Sequence, residues 1–137
     1  MRVFIAVELP SEAKKELNKL IVKLQRCHWP VRWEKPTKIH ITLVFLGKLK
    51  TTTQKLKLLK KIIKDRTKEI GPFEVEFKGL GAFPDFAQPR VVWVGLKGDL
   101  QSLAALQKGI EKELERAKIW FDKKPFVPHV TIGRVKK

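Results

Sequence analysis

Residues 126–135 read Phe-Val-Pro-His-Val-Thr-Ile-Gly-Arg-Val, and residues 39–46 read Ile-His-Ile-Thr-Leu-Val-Phe-Leu. Both carry one pattern, His-apolar-Thr-apolar, as His40-Ile41-Thr42-Leu43 and His129-Val130-Thr131-Ile132. Side chains alternate across a strand, so His40 and Thr42 share one face while Ile41, Leu43 and Phe45 share the other. The apolar set belongs in a core, which turns His and Thr outward. The same logic places His129 and Thr131 together, with Val130 and Ile132 inward.

Working outward, each of these strands is preceded by a helix and an earlier strand. Arg2–Leu9 (RVFIAVEL) is a strand that Pro10 ends. Ser11 and Glu12 then open a helix to about Gln25, with Ala13, Leu17, Leu20, Ile21 and Leu24 at helical spacing. A polar, Trp-containing connection through Pro30 and Pro36 leads to the strand Ile39–Leu46, closed by Gly47. In the second half, Arg90–Leu96 (RVVWVGL) is a buried-type strand and Ser102 to about Lys118 an amphipathic helix through Leu103, Leu106, Ile110 and Leu114. Phe126–Val135 is the last strand. Arg2–Val7 corresponds to Arg90–Val94 at nearly the offset that relates the two His-x-Thr motifs, which marks an internally duplicated strand–helix–strand unit. The expected fold is α+β and bilobal, with pseudo-twofold units and a central cleft between two small sheets. It forms a single domain over 1–137, with lobe-forming repeats at approximately 1–80 and 88–137.

The copies differ. The first continues into a helix, Thr51–Lys68, with Leu56, Leu59, Ile62 and Ile63 on one side, and into a half-exposed strand, Phe73–Phe77. Gly79, Gly81 and Pro84 then mark a turn-rich loop. The second copy stops at Lys137, so the second lobe is expected to be truncated.

Lys+Arg number 30 against 14 Asp+Glu, a formal net charge of +16, with 43% apolar residues. The apolar content excludes a disordered basic tail. The longest apolar runs, such as Val3–Val7, fall far short of the ~20 residues that cross a bilayer. Neither a signal peptide nor a membrane partner is expected, and the compartment read from this is cytoplasmic. The Lys-rich surface is typical of heat-adapted proteins, but the surplus of positive charge points to a polyanion, nucleic acid first. The Lys48–Lys68 segment, nearly all of whose charges are basic, is either a solvated face or an RNA-facing one. Cys27, the one cysteine, reads as a small, partly buried hydrophobe and His28 as a loop residue.

Two imidazoles suit proton exchange at neutral pH. On opposite sides of a phosphorus, one activates the attacking oxygen while the other protonates the leaving oxygen. Thr hydroxyls can hold non-bridging phosphate oxygens, with Lys or Arg stabilising developing charge. Neither a metal nor another cofactor is called for.

MRVFIAVELP, HITLVFLG, the GAFP turn before PRVVWVGL, and FVPHVTIGRVK together resemble the RNA 2′,3′-cyclic phosphodiesterases, historically called 2′-5′ RNA ligases, of the 2H phosphoesterase superfamily. The resemblance implies metal-independent opening of a 2′,3′-cyclic phosphate, on RNA or a nucleotide, to a 2′-phosphate, with 2′-5′ ligation as the reverse reaction. It also implies His40 as general acid and His129 as base, with Thr42 and Thr131 on the phosphate. Chain order alone leaves those two histidine roles interchangeable. The family's arginine after the second motif matches Arg134, a phosphate contact by resemblance. Strict alternation turns Arg134 away from His129, so Gly133 would have to bend the strand. Phe83 and Trp33 are either base-stacking or packing residues. Members of the family continue well past the second motif, so a homodimer covering the exposed edge of the truncated lobe is expected. An RNA-binding module with little or no turnover is the alternative function.

Overall fold

A computed structural model describes residues 2–50 and 52–136. The order is β1 (Arg2–Glu8), α1 (Ser11–Gln25), β2 (Val31–Trp33), a 3-10 turn (Pro36–Lys38), β3 (His40–Lys48), α2 (Thr53–Ile70), β4 (Val75–Phe83), β5 (Val91–Gly98), α3 (Leu100–Arg116) and β6 (His129–Val135). β1 pairs with β3 in a two-stranded sheet, and the second sheet runs β2-β6-β5-β4. The fold is α+β as expected. No helix among the described residues is long and apolar enough to cross a membrane.

The chain divides into two compact units. One comprises Met1–Ala6, Thr42–Val75 and Gly98–Val127; the other Val7–Ile41, Glu76–Lys97 and Pro128–Lys137. Each unit therefore draws on both halves of the chain, and the sequence repeat and the compact unit are different partitions of it.

In the first unit, α2 and α3 pack together. Leu59 and Ile62 of α2 are buried, whereas Leu56, placed by its spacing on the same side, is exposed. Gly109 of α3 leaves room for the Arg66 side chain, whose Cδ would lie 3.0 Å from an added Cβ. Arg66 pairs there with Glu69 at 3.2 Å and Glu113 at 3.7 Å. The α3 residues Leu103, Ile110 and Leu114 are almost wholly buried, each worth about 1.5–3 kcal/mol of transfer free energy. Gln107, buried beside them, donates its side-chain N–H to the Leu43 carbonyl at 3.4 Å. On β3 the alternation holds through Ile41 and Leu43 but not beyond: Val44 and Leu46 are buried and Phe45 is exposed. The α2 helix starts at Thr53 behind a Thr52 cap that accepts from the Lys55 N–H; Thr51, where the spacing opens it, lies outside the described residues.

In the second unit the sequence reading misses β2 altogether. Val31, Arg32 and Trp33 pair antiparallel with Val135, Arg134 and Gly133 of β6. β6 is therefore flanked on both sides, by β2 and β5, and the outer strands of this sheet are β2 and β4. β4 also runs on to Phe83, through Gly79 and Gly81, where the glycines predict a loop. Cys27 is exposed rather than partly buried.

α3 begins at Leu100, earlier than Ser102, because Asp99 is its cap. The Asp99 carboxylate accepts from the Ser102 hydroxyl at 2.6 Å and from its backbone N–H at 3.0 Å. These bonds hold the Asp99 carboxyl below its ordinary value of 3.8. A depressed carboxylate stabilises the fold in full above its ordinary pKa, and the contribution fades as the pH falls through the lowered folded-state value. Asp99→Ala is expected to lower Tm at neutral pH, and thermal melts in acid should show the gap from the parent chain narrowing below 3.8.

Candidate active site

β6 meets β5 antiparallel with Gly95 opposite His129, Trp93 opposite Thr131, Val92 opposite Gly133 and Val91 opposite Arg134. Between Val92 and Trp93 the register shifts: β5 advances one residue while β6 advances from Gly133 to Thr131. Ile132 is the extra residue of a β-bulge. Its consequence follows from β5, where Val91, Trp93 and Gly95 alternate onto one face and Val92, Val94 and Leu96 are buried on the other. Directly opposed residues share a face. His129, Thr131 and Arg134 therefore lie on one face in three successive rows, and the bulge undoes the alternation that would have sent Arg134 away. The break falls at Ile132, one residue before Gly133. Gly133 serves a different need: an added Cβ there would lie 2.5 Å from Val31 and 3.0 Å from the Trp33 ring, so only glycine lets β2 approach. Trp33 faces that packed side, where it meets Trp29, and is not on the His129 face.

The His129 ring is set by two aromatic neighbours. Phe83 meets it edge-on at 5.2 Å and 88°, and Trp93 at 5.9 Å and 65°. Phe83 and Trp93 stack on each other at 5.1 Å. Room for the indole comes from Gly81, where an added Cβ would sit 2.2 Å from the Trp93 ring. This explains Gly81, whereas Gly79 meets nothing within 4 Å of an added Cβ and supplies a left-handed φ of +76° within the strand. The Trp93 Nε1–H is buried with no hydrogen-bond partner among the described residues. Sequence reasoning places Trp93 only as a strand residue, although the alternation Val92, Val94, Leu96 could have marked it as facing the site.

On β3, His40 and Thr42 are both half-buried, as the pattern predicts. Just before them, Pro36–Lys38 forms a 3-10 turn that brings the Lys38 carbonyl to 2.8 Å from His40 Nδ1. A carbonyl can only accept, so Nδ1 carries the hydrogen in this bond. His40 belongs to the same compact unit as His129, while Thr42 is counted with the other. Among the described residues, no three His, Cys, Asp or Glu side chains gather as metal ligands do.

A duplicated His-x-Thr strand on this α+β scaffold defines a two-histidine phosphoesterase class. The chain belongs to the 2′-5′ RNA ligase superfamily, whose family model matches residues 4–137. It is 35% identical over 136 residues to a Thermotoga maritima protein named RNA 2′,3′-cyclic phosphodiesterase, covering 99% of this chain and 71% of that protein. The crystal structure of TT0787 from Thermus thermophilus matches with a TM-score of 0.76 at 30% identity, covering 100% of this chain and 75% of that one. E. coli LigT, crystallised with 3′-AMP, shares the fold with a TM-score of 0.74 at 23% identity, over 99% of this chain and 72% of that one.

Gly81→Ala forces the Trp93 indole off its seat. It is expected to destabilise the protein by about 1–3 kcal/mol, the cost of overpacking, read from a denaturant titration, and to change the near-ultraviolet circular dichroism of the stacked rings.

Proposed function

We propose that this chain hydrolyses the 2′,3′-cyclic phosphate of an RNA end or a nucleotide to a 2′-phosphate, without a metal, and that 2′-5′ ligation is the same reaction run backwards. Residues 1–137 act as one catalytic domain in the cytoplasm. The observation that carries this reading is the alignment of His129, Thr131 and Arg134 on one face of β6. The relatives' shared name supports the same chemistry. The proposal includes a homodimer covering the outer edge of the truncated lobe, with β2 rather than β6 as the strand that edge presents.

In the proposed reaction a water oxygen bonds to phosphorus as the P–O3′ bond breaks. His129 takes the water's proton and His40 delivers one to the departing O3′, leaving a 3′-hydroxyl and a 2′-phosphate. His40 gives its proton from Nε2, while Nδ1 donates to the Lys38 carbonyl. That bond also fixes the ring against rotation. Phe83 and Trp93 do the same for His129 by packing. Thr42 and Thr131 donate to the non-bridging oxygens, and Arg134 offsets the charge that grows on them.

With 2′,3′-cyclic nucleotides in excess EDTA, the expected result is hydrolysis to the 2′-phosphate with a bell-shaped pH profile. Each of His40→Ala and His129→Ala should slow it by about 10²–10⁴-fold. Full activity in both variants would sink the proposal, and salt-dependent RNA binding with no turnover would make the chain an RNA-binding module instead.

The acid and base roles separate with a substrate whose 3′ leaving oxygen is sulfur, because a thiolate leaves without a proton. It should restore most of the rate in His40→Ala and little in His129→Ala, and the reverse pattern would exchange the roles.

A further inference from the structure

Arg32 of β2 lies directly opposite Arg134 of β6. Since Arg134 shares a face with Thr131 and His129, so does Arg32, while Val31 and Trp33 on either side of it pack into the other face against Gly133. Both arginines are exposed, and neither has a carboxylate partner among the described residues. Like charges directly opposite on neighbouring strands are destabilising. The pairing therefore works against the fold unless an anion lies over it. Guanidinium forks match phosphate oxygens in pairs, which a lone ammonium does not.

Rows along β6 are about 6.7 Å apart and adjacent strands about 5 Å, which puts the Arg134 Cα about 7 Å and the Arg32 Cα about 8 Å from that of Thr131. Arg134, on the strand that carries Thr131 and His129, is the nearer to the reacting phosphate, and Arg32 stands one strand outward from it, on the side away from β5. A reacting phosphate held by Arg134 leaves the Arg32 fork to the next phosphate along the bound chain. A 2′,3′-cyclic phosphate occupies the 3′ terminus of a chain, so the only neighbouring phosphate lies on the 5′ side.

We infer that Arg32, beside Arg134, binds the phosphodiester on the 5′ side of the cyclic end, so that the protein selects an oligonucleotide over a single nucleotide. This rests on the proposed function for the identity of the terminal group.

The test compares 2′,3′-cyclic AMP with a trinucleotide ending in the same cyclic phosphate. The parent chain should prefer the trinucleotide, and Arg32→Gln should cut the trinucleotide-to-mononucleotide ratio of kcat/KM about tenfold, the loss of one charge-assisted contact. The salt dependence of trinucleotide binding should fall by about 0.7 in log–log slope, one phosphate's share on a single strand. Arg32→Lys should recover part of the ratio. Removing the like-charge pair should leave Tm unchanged or raised, which a structural role for Arg32 would not do. An unchanged ratio in Arg32→Gln, or no length preference in the parent chain, overturns the inference. If the parent chain hydrolyses neither substrate, the catalytic reading fails by itself. Binding then decides this one: Arg32→Gln must weaken a trinucleotide ending in a 2′-phosphate relative to adenosine 2′-phosphate, and equal effects on both reject it.

Discussion

The arrangement of the face that carries His129, Thr131 and Arg134 hangs on one backbone irregularity, the extra residue at Ile132 where β6 runs beside β5. Without it, Arg134 would point toward the side where Val31, Val92 and Trp33 pack, and burying a guanidinium there without a partner is prohibitive. With it, one seven-residue strand holds His129 and Thr131 on one side, Val130 and Ile132 wholly buried on the other, and then returns a cation to the first. The bulge works only because the next residue is glycine, since β2 comes too close at Gly133 to admit a side chain. The irregularity and the missing side chain form one device: the first sets the orientation and the second allows the neighbouring strand to lock it.

The rings around His129 follow a similar division of labour between presence and absence. Trp93 spreads across the sheet because Gly81 of β4 offers no Cβ, and Phe83, two residues further along β4, closes against both rings. Edge-to-face contacts add about 0.5–1.5 kcal/mol each beyond area burial. Their larger effect is to remove rotamers from His129. His40 reaches a comparable restraint by other means, a hydrogen bond to a carbonyl two residues back in the chain.

Much of this was legible in the sequence. The His-x-Thr alternation, α1 from Ser11 to Gln25, and the core positions Leu103, Leu106, Ile110 and Leu114 all follow from periodicity, because burial on one face writes itself into local spacing. Features that escaped are those set by a partner distant in the chain. β2 is three residues long and becomes a strand only because β6 lies beside it. Gly79 and Gly81 read as turn residues, since nothing local tells a glycine that bends a chain from one that makes room for a tryptophan further along it. The face of Arg134 depends on how β6 is registered against β5, which no count along β6 alone can supply. At α3 the error is smaller and chemical: Ser102 reads as the helix start, but it is the donor to Asp99, which caps the helix.

Pairing β2 with β6 has a meaning in time as well as in space. Val31 leaves the ribosome long before Val135, yet the two lie directly opposite each other on paired strands. Until β6 is made, Arg32 has no strand to be aligned on and the bulge no partner to be measured against. Such long-range pairings slow folding, because closure entropy is spent before any contact returns it. While the nascent chain is still growing toward β6, the face that carries Arg32 and Arg134 is therefore unassembled, and the ribosome that carries it is a particle made largely of RNA.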